Sequence, residues 1–182
     1  MRRIAGKKHI AVPLSHFSWP GKVYRLARSE CPVFFSADVT IRGEMVHICF
    51  KTEGYRPLKE IGTLTIIQCL GILKELIQHL TAAVDWMWYP EQIVISFDTV
   101  WIGRDGHIRL LCIPDSRELA LFKRLALFTE NLKRFTDASG KDILSGLQRE
   151  WMDRTHLSHR IMGAIDRMIL DLQEYSAYRF IK

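Results

Sequence analysis

Residues 98–114 read D-T-V-W-I-G-R-D-G-H-I-R-L-L-C-I-P, two short apolar runs around an Arg104-Asp105-Gly106 turn. Asp-Gly between such runs is a strong hairpin signal, because glycine tolerates the positive φ that tight hairpin turns demand. The pattern predicts a hairpin over 99–113. It follows a run, 65–83, in which Ile66, Leu70, Leu73, Ile77, Leu80 and Val84 recur at helical spacing. Thr65 is placed to cap that helix, and its wide apolar stripe predicts burial on most sides. A hairpin held between a buried helix and further helical sequence restricts the chain to a mixed fold.

The first third reads differently. Alternation and β-rich composition predict strands over 9–14, 22–27, 33–41 and 45–51, with Arg42-Gly43 turning the last two into a hairpin. Pro57-Leu58-Lys59 can add a helical turn. Beyond the hairpin, Asp115 or Ser116 can cap a helix carrying Leu121, Leu125, Phe128, Leu132 and Phe135, which residues 137–140 would end. Ile143, Leu147 and Trp151 mark a short helix; Leu157, Ile161, Ile165, Met168, Leu172 and Tyr175 mark a long last one. The expected fold is α+β: a small antiparallel N-terminal sheet over 1–61, then a helical lobe with an embedded hairpin over 62–182.

Length and composition fit a globular domain with a real core, 182 residues of which 48% are hydrophobic and 25% charged. The longest weakly polar run, 61–73, is shorter than the roughly 20 apolar residues a membrane span needs. The start M-R-R-I-A-G-K-K-H has no apolar core of a signal peptide, so the expectation is a cytoplasmic protein. Cys31, Cys49, Cys69 and Cys112 are widely spaced among apolar neighbours, with no C-x-x-C pair. They read as small buried hydrophobes, and no metal is expected.

Before Glu30 the chain carries Arg2, Arg3, Lys7, Lys8, Lys22, Arg25 and Arg28 and no acid, while the net charge of the whole is +6. Such a basic patch suits an acidic protein, an anionic membrane surface or nucleic acid; the plain alternative is a solvated N-terminal region. Phe17, Trp19 and Tyr24 lie among these bases and could stack nucleic-acid bases. Trp86, Met87, Trp88 and Tyr89 are four large residues in a row. They cannot all point inward, so the segment either closes the core or, together with Trp101, docks a partner.

Chemistry-bearing motifs are missing from the sequence. There is no G-x-G-x-x-G, no phosphate-loop G-x-x-x-x-G-K-[ST], no G-x-S-x-G and no H-E-x-x-H. His156 and His159 stand three apart with no further ligand type at helical spacing, and Lys51 reads as a surface lysine at a strand end. No catalytic residue and no cofactor is expected.

Helix, hairpin, helix with G-H-I-R-L at 106–110 resembles the frame of a protein kinase around its catalytic loop. Laid on that frame without gaps, the metal-binding Asp falls on Cys112, the metal-binding Asn on Thr99 and the catalytic Asp on Val94. Phosphoryl transfer needs oxygen ligands for Mg²⁺ at such places, so the resemblance implies a non-catalytic relative. Asp85 and Asp98 would revive a nucleotide-sensing kinase relative only by converging in a cleft. More of the chain resembles an uncharacterised domain of Gram-positive bacteria that commonly precedes a forkhead-associated domain. The likeness lies in C-P-V-F-F-S-A-D-V-T-I-R-G-E-M-V-H-I-C-F-K-T-E-G-Y-R-P-L-K at 31–59 and Y-P-E-Q-I-V-I-S-F-D-T-V-W-I-G-R-D-G-H-I-R-L-L-C-I-P at 89–114. A forkhead-associated domain is not part of these 182 residues. The resemblance implies a protein–protein interaction or adaptor module in signalling or in a membrane-associated secretion or pilus assembly. A nucleic-acid binder using the basic N-terminal region is the alternative.

Overall fold

The computed structural model describes residues 6–17, 21–28, 31–114, 120–152 and 159–179. Among them the architecture is α+β: small antiparallel sheets and several helices. By its internal contacts the chain forms two compact units, Met1–Ile61 with His79–Leu121, and Gly62–Gln78 with Phe122–Lys182.

The first unit holds two three-stranded sheets. One has the order β1-β3-β2, from β1 (Lys7–Pro13), β2 (Ala37–Arg42) and β3 (Met45–Lys51), antiparallel throughout. Alternation sends Val46, Ile48 and Phe50 of β3 into the core, each at most 1% exposed, and turns His47 outward. Gly43, at φ 58, makes the β2–β3 turn that Arg42-Gly43 announced. The second sheet, β4-β5-β6, joins β4 (Tyr55–Pro57) to the hairpin of β5 (Val100–Gly103) and β6 (Ile108–Leu110). Gly106 takes φ 86 in that hairpin's turn, and the Asp105 carboxylate accepts the His107 N–H at 3.1 Å.

Residues 33–35 tie the two sheets together. The Phe35 N–H donates to the Leu110 carbonyl at 3.1 Å, and the Leu110 N–H donates to Val33 at the same distance. The Phe35 ring then meets Tyr55 and Trp101 edge-on, at 5.1 and 5.9 Å between centroids. The hairpin therefore belongs with the N-terminal strands, not with the helical lobe that its place in the sequence suggested. The pairing of β4 with β5 is the reason.

One expected strand is a helix. Residues 22–27 lie in α1 (Gly21–Arg28), with Lys22, Val23 and Leu26 buried. Val23 and Tyr24 favour strands, but burial at i, i+1 and i+4 is helical spacing, and Leu, Ala and Arg are good helix formers. The strand expected over 33–41 begins only at Ala37, because residues 33–35 make the cross-sheet link just described.

α2 (Ile66–Asp85) starts in a full capping box: the Thr65 hydroxyl accepts the Gln68 N–H at 3.2 Å, and the Gln68 amide oxygen accepts the Thr65 N–H at 2.9 Å. Its early turns lie in the second unit and its last turns in the first. The second unit continues with α3 (Leu121–Leu132), α4 (Ala138–Met152) and α5 (His159–Arg179). Leu70, Leu73, Leu76, Leu125, Leu132, Leu144, Leu147 and Ile165 are fully buried there. Lys74 of α2 binds Asp166 of α5 at 2.5 Å, and Lys133 donates to Gln148 of α4 at 2.6 Å.

Residues 137–140 begin a helix where the sequence suggested an end. The Gly140 N–H donates to the Asp137 carboxylate at 2.8 Å, so Asp137 caps α4. A side chain at Gly140 would lie 2.3 Å from the Thr136 hydroxyl, which explains a glycine inside a helical first turn. The proposed caps Asp115 and Ser116, together with Leu157 and the side chains of Trp151, Ile161 and Tyr175, fall outside what is described.

Candidate interaction surface

α2 ends in a six-residue turn that decides which aromatics face water. The Trp88 N–H donates to the Ala83 carbonyl at 3.0 Å and the Met87 N–H to Val84 at 2.8 Å. These two bonds define a Schellman cap, whose penultimate position takes the left-handed conformation and is usually glycine. Here it is Met87, at φ 59, the one non-glycine residue with positive φ among the described residues. The cap turns Trp88 inward to 3% exposure, beside the buried Ala83, with its ring 5.9 Å from Phe34. Trp86, Met87 and Tyr89 face outward at 37%, 54% and 49%.

α1 lies against this turn. Arg25 donates to the Trp86 carbonyl at 3.2 Å. The Lys22 ammonium donates to the Gln92 amide oxygen and stands 5.5 Å from the Trp88 ring and 6.0 Å from the Tyr89 ring. Lys22 is buried, and that desolvation holds its pKa below the ordinary 10.5. Tyr24, 64% exposed, continues the surface on α1, with the Arg28 guanidinium 5.6 Å from its ring. The basic run and the aromatic run, some 60 residues apart in sequence, are thus brought together.

Several candidate residues lie elsewhere. Trp101 is 8% exposed, and its indole N–H donates to the Asp98 carbonyl at 2.9 Å, so its ring packs the core with Phe35. Burial likewise takes Trp88 and Lys22 off the open surface. Lys7 and Lys8 sit on β1, opposite Lys51 and Phe50, so the basic residues divide between a strand and a helix. Phe17 is buried; Arg2, Arg3, Trp19 and His156 lie outside the described residues, as does the side chain of His159.

Thr99 and Cys112, on which the sequence resemblance to a kinase frame lays metal ligands, are both closed into the protein. The Thr99 hydroxyl, 3% exposed, donates to the Val94 carbonyl and accepts the Ser96 N–H, both at 2.9 Å. Cys112 is fully buried, and desolvation pushes its thiol well above the usual range, with Cys31 adding to the effect. Asp98 pairs with Lys59 at the surface, and Asp85 is exposed at the end of α2. Lys51, expected at the surface at a strand end, pairs with Asp38 at 3.2 Å on the open sheet. Among the described residues no helix is long and apolar enough to cross a membrane.

No family model and no curated protein matches the chain. Solved structures do. A divergent kinase lacking the glycine-rich loop, which regulates membrane ultrastructure of the Toxoplasma parasitophorous vacuole, aligns over 80% of this chain at 10% identity, with a TM-score of 0.55. The alignment takes in 60% of that kinase, so the chain spans less than two thirds of its length. The cytoplasmic fragment of Staphylococcus aureus EssB aligns over 92% of this chain and 98% of its own, at 16% identity and a TM-score of 0.48. At 10% identity the likeness to the divergent kinase is one of fold, and that fold is kinase-like.

Proposed function

We propose that the chain is a non-catalytic adaptor, and that it docks a protein partner on the surface made by α1 and residues 86–89. The observation that carries this reading is Met87. A large apolar side chain stands exposed at a left-handed position where glycine would cost less, between two exposed aromatics. Strain of that kind persists where the side chain has a use. Arg25, at the Trp86 carbonyl, and Arg28, over the exposed Tyr24 ring, suit a partner segment bearing acidic and apolar side chains. The commitment of the Thr99 hydroxyl and the burial of Cys112 support the absence of phosphoryl transfer. The setting that fits the resemblance of residues 31–59 and 89–114 is a bacterial cytoplasm, in signalling or a membrane-associated secretion or pilus assembly.

Met87→Gly tests the reading because it removes the contact while relieving the backbone. Its unfolding midpoint should equal or exceed that of the wild type, and a partner captured by the wild type should be lost. A variant that keeps every partner overturns the docking surface, and so does capture of RNA or DNA in place of protein. Saturating Mg²⁺·ATP should leave the midpoint unmoved. A ligand at 100 times its dissociation constant stabilises by about 2.7 kcal/mol, so a true nucleotide site would be plain.

A further inference from the structure

Lys22 carries a full charge that the fold around it leaves without a counter-charge. It is 7% exposed, and a lysine is almost never so buried unless it is paired. Its ammonium has three N–H donors. The Gln92 amide oxygen takes one, and the Trp88 and Tyr89 rings, 5.5 and 6.0 Å away, offer only their π faces. Among the described residues no carboxylate pairs with it; Asp85 and Glu91, the acids of the adjoining turn, are both exposed. Burial lowers its pKa, and the group that opposes burial is the Cys112 thiol rather than an acid. A cation taken out of water among neutral groups costs stability, which one entering carboxylate would offset.

The two groups over the ammonium reach the surface. Gln92 is partly exposed and Tyr89 is exposed, next to Met87 and Trp86. The Gln92 backbone is fixed by its N–H, which donates to the Tyr89 carbonyl at 2.9 Å, while its side chain is held by Lys22. Rotation of that amide turns its NH₂ toward the same place. A carboxylate entering there accepts from Lys22 with one oxygen and from Gln92 with the other. One ammonium beside one amide suits a single negative charge, since Arg25 already donates to the Trp86 carbonyl.

We propose that Lys22 is the receptor for one aspartate or glutamate side chain of the docked partner, which enters between Tyr89 and Gln92 while its apolar neighbours cover Trp86 and Met87. This rests on the docking surface proposed above and names the chemistry at its centre, an acidic side chain within an apolar segment. Lys22 thereby sets specificity. A segment with an amide at that place leaves the buried charge as it was, and one with a lysine there meets repulsion.

The probe is a blocked peptide, acetyl-Ala-Leu-Glu-Leu-Ala-amide, titrated into the full chain at fixed ionic strength. The nitrogen resonance of the Lys22 ammonium, assigned by its loss in Lys22→Met, should shift and saturate. Exchanging Glu for Gln in the peptide should weaken binding by at least about tenfold in the wild type and by less than about twofold in Lys22→Met. Lys22→Met should melt at or above the wild-type temperature, because it removes an unpaired buried charge, so lost binding is not lost folding. The Gln peptide with a free C-terminal carboxylate separates a side-chain acid from a chain end. An unmoved ammonium resonance, equal binding of the Glu and Gln peptides, binding through the free chain end alone, or a Lys22→Met midpoint well below the wild type overturns the proposal. Equal binding of the two blocked peptides that Met87→Gly abolishes would remove Lys22 from recognition and leave the docking surface standing.

Discussion

Residues 94–112 and residues 86–89 are neighbours in sequence and opposites in what they leave available. In the first stretch the polar groups are turned onto the protein itself: Thr99 onto Val94 and Ser96, Trp101 onto Asp98, Cys112 into the core. In the second, the backbone bonds are satisfied by the helix cap and three large side chains face water. A site is legible in what side chains have left over once the fold has satisfied its own backbone and core. By that measure the first stretch spends its polar groups on the fold, and the turn before it leaves large side chains at the surface.

The comparison breaks most readily at Trp88. Truncation of this buried ring to alanine should cost about 3–5 kcal/mol, seen as a large fall in the urea midpoint. A loss below about 1 kcal/mol would mean that the cap does not bury the ring. Thr99→Val keeps the shape and removes the hydroxyl, leaving the Val94 carbonyl and Ser96 N–H without their partner. The expected cost is about 1–3 kcal/mol. Equal stability would show that the loop's polar groups find water instead.

Lys22 gives a pH test. Its pKa in the fold lies below 10.5, so between that lowered value and 10.5 the unfolded chain binds more protons than the folded one. Stability of the wild type should therefore rise with pH through this window relative to Lys22→Met, which lacks the titration. Equal slopes in the paired thermal melts would place the ammonium in solvent. The smallest effect belongs to the open turn: Trp86→Ala should move stability by no more than about 0.5 kcal/mol while weakening capture of the partner. A loss of several kcal/mol would make Trp86 a core residue and sink the distinction.

Much of the fold was readable because it rests on local chemistry. Thr65 and Gln68 three residues apart spell the capping box that starts α2, and Arg42-Gly43 and Asp105-Gly106 spell two turns. α1 was misread because Val23 and Tyr24 carry strand propensity in too short a window for the period to decide. The proposed docking surface was half legible. Four large residues in a row announce exposure, but their sequence does not say which one turns in; the Schellman bonds at Ala83 and Val84 do. The seating of Lys22 against Gln92 was not legible at all, since only tertiary packing brings together residues 70 positions apart.

The sequence by itself determined the elements whose instructions are short-range: the capped helix, the glycine turns, the apolar faces of α2 and α3, and the lack of any phosphate-gripping loop. Tertiary structure alone decided the hairpin's allegiance to the N-terminal strands, the burial of Lys22 under Trp88, and the meeting of basic and aromatic runs. Local propensity acts over a few residues through backbone sterics and hydrogen bonds. Long-range pairing is chosen by which apolar surfaces the whole chain can bury together, and no window of sequence contains that sum.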